Sequence, residues 1–178
     1  MKKYSNDLIG IFARYLSVLF LGLGNLYLVY FIFTPITVWV FYVLMSIFTD
    51  VSLFGNIVVV GGNLIEIVPA CVSGAAYYLL FSLGMLTKGP LKTRIKVIST
   101  SIAAFFVFNI IRLLILTSLI GNSSFDLIHW VFWHLISTIF VVLIWLFVTK
   151  KYKMKGFPVY SDLLYLKKLK KKKTKRKK

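Results

Sequence analysis

Cys71, Arg112 and two histidines, His129 and His134, are the side chains of this sequence best able to do covalent chemistry. Cys71 is the only cysteine and stands in Val68-Pro69-Ala70-Cys71-Val72-Ser73-Gly74. A thiolate is a strong nucleophile, and a helix N-terminus favours the ionised form. A free cysteine is also commonly a small buried hydrophobe. Arg112 is the sole charge in the apolar run 97–120. A central arginine in a membrane helix costs about 2.5–3.5 kcal/mol on insertion scales, so it reads first as functional. Its alternative is to snorkel to the headgroups. Asn109 lies one turn earlier on the same face and can hydrogen-bond to Arg112 or to a substrate.

His129 and His134 are the only histidines. Five residues apart on a helix, they diverge by about 140°, so at most one faces the cysteine. Either can move a proton near neutral pH. Either can also be an interfacial aromatic beside Trp130 and Trp133. Asp126, one turn before His129, orients the imidazole or caps the helix start. Ser73 reads as a cap or packing residue that supports the cysteine.

Apolar helices must hold these residues. The chain of 178 residues is 59% hydrophobic and 17% aromatic, with a mean hydropathy of +0.85. Soluble domains are about 45–50% apolar, so the expected class is an all-α polytopic membrane protein. About five apolar helices are expected, near 8–33, 35–49, 70–86, 97–120 and 127–148. Pro35 divides the first two. The N-terminus is basic and then apolar but lacks a small-residue cleavage site, so it reads as a retained span. Between the second and third helices, 56–68 is β-branched on both sides of Gly61-Gly62-Asn63, a hairpin signature. Strand backbone is not tolerated in hydrocarbon, so this segment belongs at the membrane surface beside Cys71.

The net charge of +17 is unevenly distributed. Eight of the 22 Lys and Arg are Lys2, Lys3, Arg14, Lys88, Lys92, Arg94, Lys96 and Arg112, and the other 14 follow Thr149. No basic face suits nucleic acid, and the tail reads as a topology determinant that binds anionic membrane lipid. The division is a membrane-embedded domain, 1–149, and a basic cytoplasmic tail, 150–178. One cysteine excludes an intrachain disulfide and does not make a structural zinc site, so no metal and no cofactor is expected. The positive-inside rule places the 88–96 turn and the tail in the cytoplasm. Cys71, His129 and the hairpin are then outside, with Arg112 roughly 12 Å below the outer end of its helix. Two full crossings before the hairpin would put Lys2, Lys3 and Arg14 on the wrong side. A re-entrant 35–49 segment would put them on the right one.

The order Ala-Cys-x-Ser-Gly at one helix start, Asn109-x-x-Arg112 on the next helix and His129 opening the following one resembles the exosortase/archaeosortase family. The short archaeal, pacearchaeosortase-like branch is most similar. The stretches that carry this are Gly24-Asn25-Leu26-Tyr27-Leu28, the run from Ala70 to Leu80, and His129-x-x-Phe-Trp-x-x-x-Ser-Thr-Ile-Phe-Val-Val. The resemblance spans roughly residues 20–148. It implies a plasma-membrane cysteine transpeptidase with its site on the outer face. Its partners would be secreted proteins ending in a sorting signal, cut there and passed to a lipid or other surface acceptor. It implies Cys71 as nucleophile, Arg112 as the required arginine and His129 as the third member, with His134 as the alternative. Asn109, Ser73 and Asp126 would support them. Some archaeal members place a second arginine third; here none follows Arg112 before the tail, so histidine takes that place. Two other readings compete: a non-enzymatic transporter or assembly subunit, and an intramembrane cysteine protease that only hydrolyses.

Overall fold

The computed structural model describes residues 2–132, 137–154, 158–165 and 167. The chain is mostly helical, with one small sheet. In order the elements are α1 (Lys2–Met45), β1 (Val51–Phe54), β2 (Ile57–Val60), β3 (Asn63–Glu66), α2 (Pro69–Val72), α3 (Gly74–Leu86), α4 (Leu91–Ser118), α5 (Phe125–Val131) and α6 (Ser137–Lys151). Among the described residues three helical stretches are long and apolar enough to cross a membrane: Leu8–Met45, Pro69–Leu86 and Leu91–Ser118. Large apolar side chains also face outward. Phe12, Phe20, Tyr27, Phe31 and Trp39 of α1 and Phe147 of α6 are 62% to 70% exposed. A helix apolar all round needs an apolar surrounding.

The first two expected helices fall within α1, which is two helical stretches joined across a kink, but the break is not at Pro35. Pro35 lies inside helical backbone. The break is at Leu23–Leu26, where Gly24, Asn25 and Leu26 all have φ between 53° and 64°. Glycine enters the left-handed region freely and asparagine does so more readily than most residues. Beyond the break the helix runs on to Met45, burying Thr37, Val38 and Phe41. α1 lies antiparallel to α3, because Gly22 faces Tyr78 and Tyr30 faces Gly74.

The other expected boundaries also shift. The 70–86 helix is two, α2 and α3, parted at Ser73. The 97–120 helix starts six residues earlier, at Leu91 after Pro90, so Lys92, Arg94 and Lys96 ride on its first turns. Pro90 explains the start, since proline suits a helix beginning. The 127–148 helix is represented by α5 and α6, and residues 133–136 between them lie outside the described set. α6 runs past the expected domain boundary to Lys151.

The hairpin at 56–68 is real but belongs to a three-stranded antiparallel meander, β1-β2-β3. Val60 pairs with Asn63 across Gly61-Gly62, both at positive φ, and Phe54 pairs with Ile57 across Gly55-Asn56. Such two-residue loops match the twist of paired strands. Val58, Val60 and Ile67 enter the core.

An aromatic ladder joins the long helices. Phe33 of α1 stacks on Tyr77 of α3 at 4.0 Å, and Tyr77 meets Phe105 of α4 edge-on at 5.2 Å. Phe108 of α4 then stacks on Phe140 of α6 at 4.0 Å. The sheet lies at one end of this bundle: a cavity of about 460 Å³ is lined by Met45, Val60 and Asn63 together with Leu114, Thr117 and Ser118. At the other end Arg14 of α1 pairs with Asp162 at 2.9 Å, and Val159 donates its N–H to the Leu86 carbonyl at 3.4 Å. Part of the expected tail is therefore packed against the ends of α1 and α3.

Candidate active site

The site begins with a helix that stops too soon. Pro69 starts α2, and its single turn is closed by Ser73 donating its N–H to the Pro69 carbonyl at 3.1 Å. Ser73 itself has φ 60° and ψ 44°. A non-glycine residue there is strained. The break interrupts the helical ladder, so the carbonyls of Ala70, Cys71 and Val72 need other donors.

Asn109 and Arg112 of α4 supply them. The Asn109 Nδ2 donates to the Cys71 carbonyl at 2.9 Å and to the Val72 carbonyl at 3.4 Å. The Arg112 Nη2 donates to the carbonyls of Ala70 and Cys71, both at 3.1 Å. The Ser73 hydroxyl donates to Asn109 Oδ1 at 3.3 Å. One face of α4 thus caps the broken helix, since positions three apart lie side by side. Asn109 is 0% exposed and Arg112 4% exposed, so the arginine does not snorkel to a surface.

The expected helix-dipole activation of Cys71 has little basis here. A dipole needs aligned peptides, and α2 has four residues. The Cys71 N–H is itself bonded to the Val68 carbonyl at 2.8 Å. What the fold provides is position: the thiol is half-buried and 3.9 Å from the carbonyl oxygen of Glu66, the last residue of β3. Beside the turn a cavity of about 420 Å³ is lined by Pro69, Ala70, Ser73 and Gly74, with Tyr30 of α1 and Val141 of α6 among the walls. It flanks the cysteine turn; Cys71 is not among its described lining.

Four of the expected residues are therefore one bonded group: Cys71, Ser73, Asn109 and Arg112. His129 is half-buried on α5, stacked on Phe125 with ring centres 5.7 Å apart. α5 packs on α4, the helix that carries Asn109 and Arg112. His134 lies outside the described residues. Asp126 is exposed in the first turn of α5, where Ser124 holds the cap position, so the capping role expected of it falls elsewhere. Among the described residues Asp126 forms no ion pair, with His129 or otherwise.

Two contributors were missed in the sequence. The Glu66 carbonyl is a backbone group that no side-chain pattern reveals. Tyr30 packs so tightly over Gly74 that a Cβ there would sit 2.6 Å from its ring. The small residues after Cys71 signalled such an approach but not its partner. The chain matches no protein-family model, no curated protein and no solved structure.

Proposed function

We propose that the chain is a polytopic membrane cysteine transpeptidase of the exosortase/archaeosortase type, which cuts C-terminal sorting signals from secreted proteins and passes them to a lipid or other surface acceptor. The observation that supports this best is the broken helix at Cys71. Capping alone accounts for the burial of Arg112. It does not account for why a helix breaks at the one cysteine and keeps a strained Ser73 to do so. Strain of this kind gathers at functional sites.

In this reading the first two apolar stretches cross once, as α1, and the remaining crossings are α2–α3, α4 and α5–α6. The basic end faces the cytoplasm by the positive-inside rule, and the sheet and the cysteine turn face outward. An extended peptide lying beside β3 reaches the thiol, because Glu66 and Cys71 are in contact.

The chemistry proceeds in two displacements. The imidazole of His129 takes the thiol proton, and the Cys71 sulfur attacks the scissile carbonyl carbon. The C–N bond breaks, and the leaving amine takes the proton from the imidazolium. The acceptor's amine or hydroxyl then attacks the thioester, gives its proton to His129 and releases the thiolate. Arg112 and Asn109 act as positioning residues that hold the cysteine backbone.

The test is Cys71→Ala in cells that express a substrate with a sorting signal. Processing should stop while the variant is still inserted; continued processing would remove Cys71 as nucleophile and favour the non-enzymatic reading. The mass of the processed C-terminus separates transfer from hydrolysis: an added acceptor mass means transfer and a free carboxylate means hydrolysis.

A further inference from the structure

The two ends of the bundle differ in chemistry, and the basic end holds a second cavity of about 360 Å³. Its walls include Arg14, Lys88, Gly89, Pro90, Arg94 and Asp162. Three cations face one carboxylate. Asp162 is occupied on one side only: its Oδ1 accepts from Arg14 Nη2 at 2.9 Å. Arg14 is 8% exposed, and its Nη1 is buried with no hydrogen-bond partner among the described residues. Asp162 Oδ2 is buried and equally without one. A buried orphan donor and a buried orphan acceptor on two residues that line one cavity leave hydrogen-bonding capacity unmet beside it.

The helix start points the same way. α4 is 28 residues long, and Pro90 gives it no side-chain cap. Thr93 and Arg94 send their N–H groups to the Pro90 carbonyl. The N–H groups of Leu91 and Lys92 remain open among the described residues, and such groups bind phosphoryl oxygens. Arg94 is held in place by its Nε bond to the Thr87 carbonyl at 3.1 Å.

We propose that this cavity is a phosphoryl site: Lys88, Arg94 and the start of α4 hold the phosphate, the Arg14 guanidinium adds positive charge behind them, and the Asp162 carboxylate favours a hydroxyl or ammonium carried on it. The cavity lies at the ends of α3 and α4. The site is independent of the transpeptidase reading. Its phosphoryl group is that of a phospholipid headgroup if the helices span a membrane, and free phosphate is the other source.

Full-length protein is released from vesicles of phosphatidylcholine with phosphatidylglycerol and weighed by native mass spectrometry. In a second arm, inorganic phosphate alone is titrated into lipid-free protein in detergent. The variants are Lys88→Ala/Arg94→Gln and Lys88→Arg/Arg94→Lys, with the basic tail unchanged in all. The wild type and the charge-keeping variant should retain phosphatidylglycerol. The neutral variant should retain it at least about tenfold less, the effect of losing about 1.4 kcal/mol. Loss in the phosphate arm alone would assign the site to free phosphate. Equal retention in the neutral variant, or no binding to the wild type in either arm, would overturn the proposal.

Discussion

At the scale of single residues, Asn109 and Arg112 do one job together and can be separated from Cys71 by stability. Asn109 feeds the Cys71 and Val72 carbonyls from a fully buried position. Replacing it with leucine leaves the Val72 carbonyl without this donor and the Cys71 carbonyl with Arg112 alone, at about 1–3 kcal/mol. The unfolding curve of Asn109→Leu in detergent should shift by that amount, whereas Cys71→Ser should leave the curve near its wild-type place. An unshifted Asn109→Leu curve would dismiss the capping account. His129 is a different case. If it moves the proton, His129→Ala should slow processing by about 10²–10⁴-fold without shifting the unfolding curve. Full activity in that variant would hand the role to His134. The sequence made Arg112 conspicuous because an isolated charge in an apolar run is costly. It did not show what the charge bonds, because a backbone carbonyl 41 or 42 positions away leaves no trace in side-chain types. The spacing of Asn109 and Arg112 put both on one face, and that part was legible.

At the scale of elements, close approach between α1 and α3 depends on two glycines. A Cβ on Gly74 would stand 2.6 Å from the Tyr30 ring, and one on Gly22 would stand 2.9 Å from the Tyr78 hydroxyl. The Gly74 contact also supports the cysteine turn, since Ser73 precedes it. Gly74→Ala should destabilise by about 1–3 kcal/mol, as overpacking does. Adding Tyr30→Ala should recover part of that loss, and a double-mutant cycle in detergent would read the coupling. Strictly additive effects would mean the two residues do not meet. The break at Leu23–Leu26 shows why elements were only partly legible. Pro35 is the stronger breaker by composition, yet membrane helices absorb proline, and the bend fell on Gly24 and Asn25 instead. Ser73 carries no glycine at its positive φ, so the split of α2 from α3 had no local signal. β1 did have one: Gly55-Asn56 is also a two-residue loop, with positive φ at Gly55 alone, but a strand of four residues is too short for alternation to show.

At the scale of the whole molecule, a single crossing by α1, as proposed, would remove the conflict in the charge pattern. Two crossings before the sheet would have stranded Lys2, Lys3 and Arg14 at the sheet end. In the single-crossing reading α1, broken at Leu23–Leu26 but keeping its direction, leaves Arg14 where Asp162, Lys88 and Arg94 gather. The ion pair with Asp162 ties this end together, and 158–165 reaches it from the far end of the sequence. In the proposed topology the N-terminus, the turn between α3 and α4 and the tail share a side, and the sheet and the turn between α4 and α5 share the other. In that proposed topology the short basic connections all fall on the cytoplasmic side, as the positive-inside rule expects. Single cysteines placed in a Cys71→Ala background measure it directly. Positions Lys88 and Asn63 are exposed, as is Asn122 after α4. With a membrane-impermeant thiol reagent on intact cells, Asn63→Cys and Asn122→Cys should label, and Lys88→Cys should label only after the membrane is opened. A tag before Lys2 should behave as Lys88→Cys does. If that tag is reached from outside together with Asn63→Cys, α1 crosses twice. The Arg14–Asp162 pair could then not form across the bilayer, so the same measurement judges the fold and the orientation.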